Sequence, residues 1–168
     1  HNGTYGFVYW LGHGSGVAAL YNYGYNVFLG WNDCVALGND YPAIVMDYTC
    51  SNGQIDGLDA ALIRDGAVGT VGCTIVDDGH LTHAHDFAVH VCKRQYTQGE
   101  ALRTALRRAA RGNVYRIRLL HDHVLYGNPN LSLRMQASLG LPTILYPPDS
   151  TIVCEGKVEP AVFIVSAV

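Results

Sequence analysis

The sequence predicts an α/β fold in which helices cover a mostly parallel β-sheet. Three apolar runs carry this prediction, at residues 7–11, 43–46 and 67–74. The first two stop at glycine-rich turns, and segments with helical periodicity follow the second and third. Such alternation favours parallel pairing, because a parallel crossover needs a connection of helix length. A chain of 168 residues is long enough to give one such domain a packed core.

The segments between the apolar runs are less regular. Residues 17–41 are rich in Tyr, Gly and Asn, which predicts a connecting region with one short helix or strand. Residues 56–64 predict a helix that ends at Gly66, since glycine is common just past helix C-termini. We interpret the polar, histidine-rich stretch at 77–85 as a loop, and residues 87–96 predict a second helix.

Residues 99–111 give the strongest helical pattern in the chain. Leucine and alanine recur there at helical spacing, which predicts a buried face. The opposite face carries Arg103, Arg107, Arg108 and Arg111. We interpret it as a solvated face, because the net charge of −3 and the lack of a stacking-aromatic motif disfavour nucleic-acid binding.

The composition is that of a globular protein, with 49% hydrophobic and 15% charged residues. No apolar run approaches the roughly 20 residues that a membrane span needs. The five cysteines form no Cys-x-x-Cys pair, so no zinc knuckle is indicated. We interpret Cys73 and Cys92 as small buried apolar residues.

The C-terminal part differs from the rest of the chain. Pro-Pro-Asp at 147–149 predicts a linker, and strand-like pieces follow at 151–154 and 161–165. We therefore expect an α/β domain at residues 1–146 and the start of a separate β module at 147–168. The chain begins without Met and its first strand comes early, which favours a processed piece of a longer precursor whose earlier strands lie elsewhere.

Two residues suited to nucleophilic chemistry follow the first two strands. His13 lies within Gly-His-Gly-Ser-Gly, and Cys50 precedes Ser-Asn-Gly. Because the carboxyl ends of parallel strands meet at one edge of a sheet, we expect these side chains to emerge together. A thiol beside an imidazole is suited to acyl transfer, and the amides of Gly14 and Cys50 are placed to stabilise an oxyanion.

The wider motif pattern resembles the gingipain-like cysteine peptidases, which have a caspase-like fold. The similar segments, in order, are the histidine strand at 8–15, the nucleophile strand at 42–53, the next strand at 66–74, the start of a later helix at 99–102 and the closing turn at 126–133. The resemblance covers about residues 5–134, although the family more often has Asp where Asn128 stands.

This resemblance implies a cysteine endopeptidase with a His–Cys dyad. His13 would be the general acid and base, and Cys50 would form a thioester with a peptide substrate. Leu11 and Tyr48 would line the substrate pocket. The bulk of Tyr48 would narrow this pocket, so no preference for Arg or Lys is implied. Catalysis would need no cofactor or metal, and calcium in the loops would be structural.

The resemblance also implies what lies outside this chain. A companion chain would supply the missing N-terminal strands, an acidic partner for His13 and part of the pocket. Residues after about 150 are similar to the start of the immunoglobulin-like domain that often follows the peptidase domain. The implied protein is a processed zymogen, secreted or on the cell surface.

Two other functions fit parts of the sequence. His80, His83 and His85, near Asp77 and Asp78, suggest a metal-dependent hydrolase, although their spacing matches no standard zinc motif. A non-catalytic structural or binding subunit with the same fold is the other alternative. A thiol blocker would stop the peptidase and a chelator would stop the metal hydrolase, whereas neither would affect a scaffold.

Overall fold

The computed structural model describes residues 5–21, 26–37, 43–76, 82–111, 118–133 and 162–166. Its strands are β1 (Tyr5–Leu11), β2 (His13–Gly14), β3 (Ala18–Tyr21), β4 (Asn26–Gly30), β5 (Ile44–Tyr48), β6 (Gly69–Cys73), β7 (His123–Gly127) and β8 (Val162–Ser166). Its helices are α1 (Trp31–Cys34), α2 (Leu58–Arg64), α3 (Thr82–Ala88), α4 (Gln98–Ala110) and α5 (Leu119–Asp122).

The predicted α/β fold with a mostly parallel, helix-flanked sheet is confirmed. Within the described residues, the main sheet has the strand order β7-β6-β5-β1-β8. The three central strands are parallel, and β7 and β8 pair with them antiparallel. Both β5 and β6 are buried along their whole length, as expected for strands that helices cover on both faces. The caspase-like identity of the fold stays a prediction.

Alternating side chains divide the core into two clusters, one on each face of the main sheet. Phe7, Tyr9 and Met46 pack in the cluster that contains Ala84 of α3 and Ala105 of α4. On the other face, the buried cluster contains Trp10, Cys34, Val45, Leu58 and Leu62. Since neighbouring residues in a strand point to opposite faces, the parity of β1 and β5 decides which side chains meet each helix layer.

A second, three-stranded sheet, β2-β3-β4, follows β1 in the described residues. The sequence predicts only one short helix or strand over 17–41, but the structure has β3, β4 and α1 there. These elements are short and half-exposed, with exposed Val27, Phe28 and Trp31. They therefore lack the sustained apolar periodicity by which a strand is recognised in sequence.

The helices differ from the predicted ones mainly at their ends. Helix α3 begins at Thr82, inside the stretch predicted as a loop, because His83, Ala84 and Phe87 are buried on one face. It continues into a π-helical segment, Val89–Lys93. Helix α4 has the predicted buried face, and its N-terminus carries a capping box formed by Thr97 and Glu100. All four arginines of the predicted solvated face are exposed.

The strand predicted at 161–165 is observed as β8, which pairs antiparallel with β1. The predicted linker and the strand at 151–154 lie outside the described residues. The division into 1–146 and 147–168 stays a prediction, as do the missing N-terminal strands. Within the part of the chain that the structure describes, no helix combines the length and apolar character needed to cross a membrane.

Candidate functional site

His13 is the first residue of β2 and follows the carboxyl end of β1 after a single residue, Gly12. Its side chain is exposed. The preceding Gly12 donates a backbone hydrogen bond to the Tyr48 carbonyl at 3.2 Å, so the pairing between β1 and β5 extends up to His13. The first segment of the candidate site is thus held against the end of β5.

Gly14 packs directly on the backbone of Cys50. A Cβ atom at Gly14 would overlap the Cys50 carbonyl oxygen and would lie 2.8 Å from Thr49 Oγ1 and 2.9 Å from the Cys50 amide nitrogen. Only glycine allows this close approach. The structure therefore brings the His13 and Cys50 segments into contact, and it places Gly14 beside the Cys50 amide.

Cys50 sits in a tight turn between β5 and α2, and it is partly exposed. Ser51, which follows it, has φ +63°, a left-handed conformation that costs a non-glycine residue free energy. The turn is held by hydrogen bonds from the Ser51 amide to the Ile75 carbonyl and from the Gly53 amide to the Cys73 carbonyl, both 2.9 Å. These bonds fix the thiol at the carboxyl edge of the sheet.

Beneath this turn, the buried Asp47 carboxylate accepts hydrogen bonds from both segments. Its Oδ1 accepts from Trp10 Nε1 at 2.7 Å and from Thr49 Oγ1 at 2.5 Å. Its Oδ2 accepts from Asn52 Nδ2 at 2.9 Å. Because Trp10 belongs to β1 and Asn52 to the Cys50 turn, the carboxylate joins the two segments of the candidate site.

Asn52 extends this network to Gly16, which follows His13 in the chain. Its Nδ2 also donates to Thr49 Oγ1 at 2.7 Å, and its Oδ1 accepts from the Gly16 amide at 3.0 Å. Asn52 is fully buried, so each of these bonds replaces a bond to water that burial removed. Polar atoms at the base of the site are thus held by one another rather than by solvent.

The Asp47 carboxyl of this network and the Asp59 carboxyl are both buried, but they differ in their hydrogen-bond partners. Burial raises the pKa of Asp47 to about 6, even though its three hydrogen bonds oppose the shift. Burial also raises the pKa of Asp59, followed by repulsion from Asp47. Neither side-chain oxygen of Asp59 has a hydrogen-bond partner in the described part of the chain. A carboxyl so placed favours its neutral form.

The two predicted pocket residues are neighbours across the sheet. Leu11 and Tyr48 are register partners of β1 and β5, and both belong to the cluster beneath α3 and α4. Leu11 is partly buried, whereas Tyr48 is only 3% exposed, with its ring 5.2 Å from that of His83. Tyr48 is therefore mainly a core residue, and its lining of a substrate pocket stays a prediction.

Two histidines of the predicted metal cluster, His83 and His85, lie on α3 and have different neighbours. His83 is fully buried, with its Nε2 3.0 Å from His123 Nε2, whereas His85 lies near Asp86. His80, Asp77 and Asp78 fall outside the described residues. Among the residues that the structure does describe, no group of three His, Cys, Asp or Glu side chains is placed to hold a metal ion. His83 and His85 thus do not belong to one group of possible metal ligands in the described residues.

The other described cysteines, Cys34, Cys73 and Cys92, are buried rather than exposed at this edge. Cys73 and Cys92 are buried, as predicted. Cys34 is fully buried at the end of α1, where its Sγ donates to the Gly30 carbonyl at 3.6 Å. Burial, followed by repulsion from Asp65 and Asp33, raises the pKa of Cys34 to about 11.

Sequence reasoning missed the Asp47 network. The available signal was a charged residue inside an apolar run, because a buried carboxylate requires hydrogen-bond donors close by. Asn52 and Trp10 supply those donors, but their contacts depend on the β1–β5 register, which the sequence alone does not specify. No protein-family model matches this chain, and neither does any curated protein or solved structure with which it was compared.

Proposed function

We propose that this chain is the catalytic part of a cysteine endopeptidase of the gingipain-like type, with His13 and Cys50 as its dyad. The observation that carries the proposal is the packing of Gly14 on the Cys50 backbone, which joins the two segments at one sheet edge. His13 is exposed and Cys50 partly so, which leaves both side chains open to a substrate. This combination of proximity and access is what a thiol nucleophile and its base require.

The proposed reaction has two steps. The Cys50 thiolate attacks the scissile carbonyl carbon, and the resulting oxyanion accepts hydrogen bonds from the amides of Gly14 and Cys50. His13 gives its proton to the departing amine nitrogen, which leaves a thioester on Cys50. Water then attacks the thioester carbon and gives a proton to His13, so that the free acid leaves and the thiolate of Cys50 and the protonated His13 are restored.

The substrate of this reaction is an extended peptide segment, as the motif resemblance implies. Leu11 and Tyr48 contribute to the pocket for the residue before the scissile bond. A companion chain supplies the N-terminal strands, and the processed protein is secreted or on the cell surface. Catalysis uses no cofactor, and any calcium in the loops is structural. These statements follow from the motif resemblance and belong to the proposal.

The experiment that tests the proposal compares variants in which one cysteine is replaced by alanine. Each is incubated with a mixed peptide library, and cleavage is read by mass spectrometry. Cys50→Ala is expected to abolish cleavage, whereas Cys34→Ala is the matched control and is expected to retain it. The chain is assayed together with any chain that co-purifies with it. Equal cleavage by wild type and Cys50→Ala would disprove the dyad.

Inhibitors separate this proposal from its two alternatives. Iodoacetamide is expected to stop cleavage and EDTA to leave the active enzyme's rate unchanged. Cleavage that EDTA stops and iodoacetamide does not would favour a metal-dependent hydrolase. A chain whose Cys50 reacts with iodoacetamide no faster in wild type than in His13→Ala would instead be a non-catalytic subunit.

A further inference from the structure

Residues of the Asp47 network lie before and after each residue of the candidate dyad in the sequence. Trp10 and Gly16 lie three residues before and after His13, and both donate hydrogen bonds into the network. Their acceptors, Asp47 and Asn52, lie three residues before and two residues after Cys50. Hydrogen bonds therefore tie the His13 segment to the Cys50 turn at two points, rather than at the sheet register alone.

We propose that Asp47 is a positioning residue that fixes the His13 segment against the Cys50 turn. This inference rests on the proposed function, because it concerns the geometry of the same dyad. Asp47 is 1% exposed and lies below the turn, so it acts through Trp10, Thr49 and Asn52 rather than on a substrate.

Stability alone gives no reason for a carboxylate at this position. Removing a carboxylate from water carries a large desolvation cost, and well-packed apolar residues are often as stable or more so. A buried carboxylate does, however, accept several hydrogen bonds in fixed directions. At Asp47 those directions lead to β1 and to both ends of the Cys50 turn, which are the parts that a dyad needs to hold together.

An amide in place of Asp47 leaves the network short of an acceptor. In Asp47→Asn, the new amide nitrogen replaces Oδ2 and faces Asn52 Nδ2, so two donors meet. Rotating the Asn52 amide removes that conflict, but its nitrogen then faces the Gly16 amide, which loses its acceptor. The double variant Asp47→Asn/Asn52→Asp solves the problem, because the new carboxylate accepts from both sides and the net charge stays the same.

The test compares wild type, Asp47→Asn, Asn52→Asp and the double variant by two readouts. The first is the pH profile of Cys50 alkylation by iodoacetamide, with His13→Ala as the reference for a lost dyad. The second is the indole N–H resonance of Trp10 in the NMR spectrum. The chain has two tryptophans, so Trp31→Phe assigns the signal.

Asp47→Asn is expected to slow Cys50 alkylation at pH 7 by about tenfold and to shift the Trp10 indole signal upfield. The double variant is expected to recover at least half of the lost rate on a logarithmic scale. Alkylation of folded Asp47→Asn within twofold of wild type would overturn the inference, as would a double variant no faster than Asp47→Asn.

A second variant covers the case in which Asp47→Asn does not fold. Trp10→Phe removes one donor and keeps an aromatic ring in the core, and it is expected to slow Cys50 alkylation about threefold. An unchanged rate in folded Trp10→Phe would then overturn the inference. The proposed function fails separately, when His13→Ala itself leaves Cys50 alkylation unchanged.

Discussion

Cys50 and Cys34 are two thiols of one chain in opposite settings. Cys50 is partly exposed at the carboxyl edge of the main sheet, where Gly14 brings the His13 segment against it. Cys34 is fully buried at the end of α1, beside the Gly30 carbonyl. Burial, followed by repulsion from acidic neighbours, raises the pKa of Cys34 to about 11, which keeps it a thiol. The comparison teaches that position in the fold, rather than residue type, decides which cysteine is suited to chemistry.

The acidic residues near the two cysteines differ in the same way. Asp33 and Asp65 act on Cys34 through repulsion of its thiolate. Asp47, by contrast, accepts three hydrogen bonds from residues around the candidate dyad. A carboxylate that is saturated with donors can organise a site without being its reactive group.

The largest expected effect comes from adding one methyl group at Gly14. Gly14→Ala would force the His13 segment away from the Cys50 carbonyl, and peptide cleavage should fall about 100-fold, because displacements near 1 Å have costs of that size. Gly30→Ala is the matched control beside Cys34, where the nearest atom, Asp33 Oδ2, is 3.2 Å from the added Cβ and belongs to an exposed side chain. Similar kcat/KM values for the two variants would break the comparison.

The buried Asp47 should make stability depend on pH. Because its folded-state pKa is about 6 and thus above the ordinary value of 3.8, folding favours the protonated form. Its contribution is fully present below about pH 4 and is lost as pH rises to about 6, by about 3 kcal/mol. Urea denaturation of wild type and Asp47→Asn across this range isolates the effect, and a pH-independent difference between them would contradict it. Burial raises the pKa of Asp59 in both proteins, so its own contribution to stability also falls as pH rises.

Gly72→Ala should destabilise the protein by about 1–3 kcal/mol, since the added Cβ would overlap the buried Asp59 carboxyl. The measurement is the urea midpoint of unfolding. Asp59→Ala supplies the matched background, because the double variant has space for the methyl group and should be less destabilised than the two single changes predict. Strict additivity would show that Gly72 and Asp59 do not meet.

The smallest expected effect lies far from both cysteines. Thr97→Ala removes the side-chain cap of α4 and should lower the free energy of unfolding by about 1 kcal/mol. Cys50 alkylation in the folded variant should equal that of wild type. A slower reaction at Cys50 would mean that its reactivity follows global stability, and the local account of the Cys50 setting would then be wrong.

Much of the main sheet can be predicted from sequence, because β1, β5 and β6 are continuous apolar runs that end at turns. The contact between the His13 and Cys50 segments follows from the same rule about parallel strand ends. The small β2-β3-β4 sheet could not be predicted, since its strands are short and half-exposed. The hydrogen bonds of Asp47 could not be predicted either, because a hydrogen-bond network depends on strand register and side-chain direction, which local sequence patterns do not fix.

The most direct test of the account is the rate at which iodoacetamide labels Cys50 near pH 7, read by peptide mass spectrometry in wild type and His13→Ala. Cys34 serves as the internal reference for a buried, un-ionised thiol. The account predicts rapid labelling of Cys50 that slows at least about tenfold in His13→Ala, while Cys34 stays slow in both. Equal labelling of Cys50 in the two proteins would contradict the account, because it would mean that His13 and Cys50 do not act together.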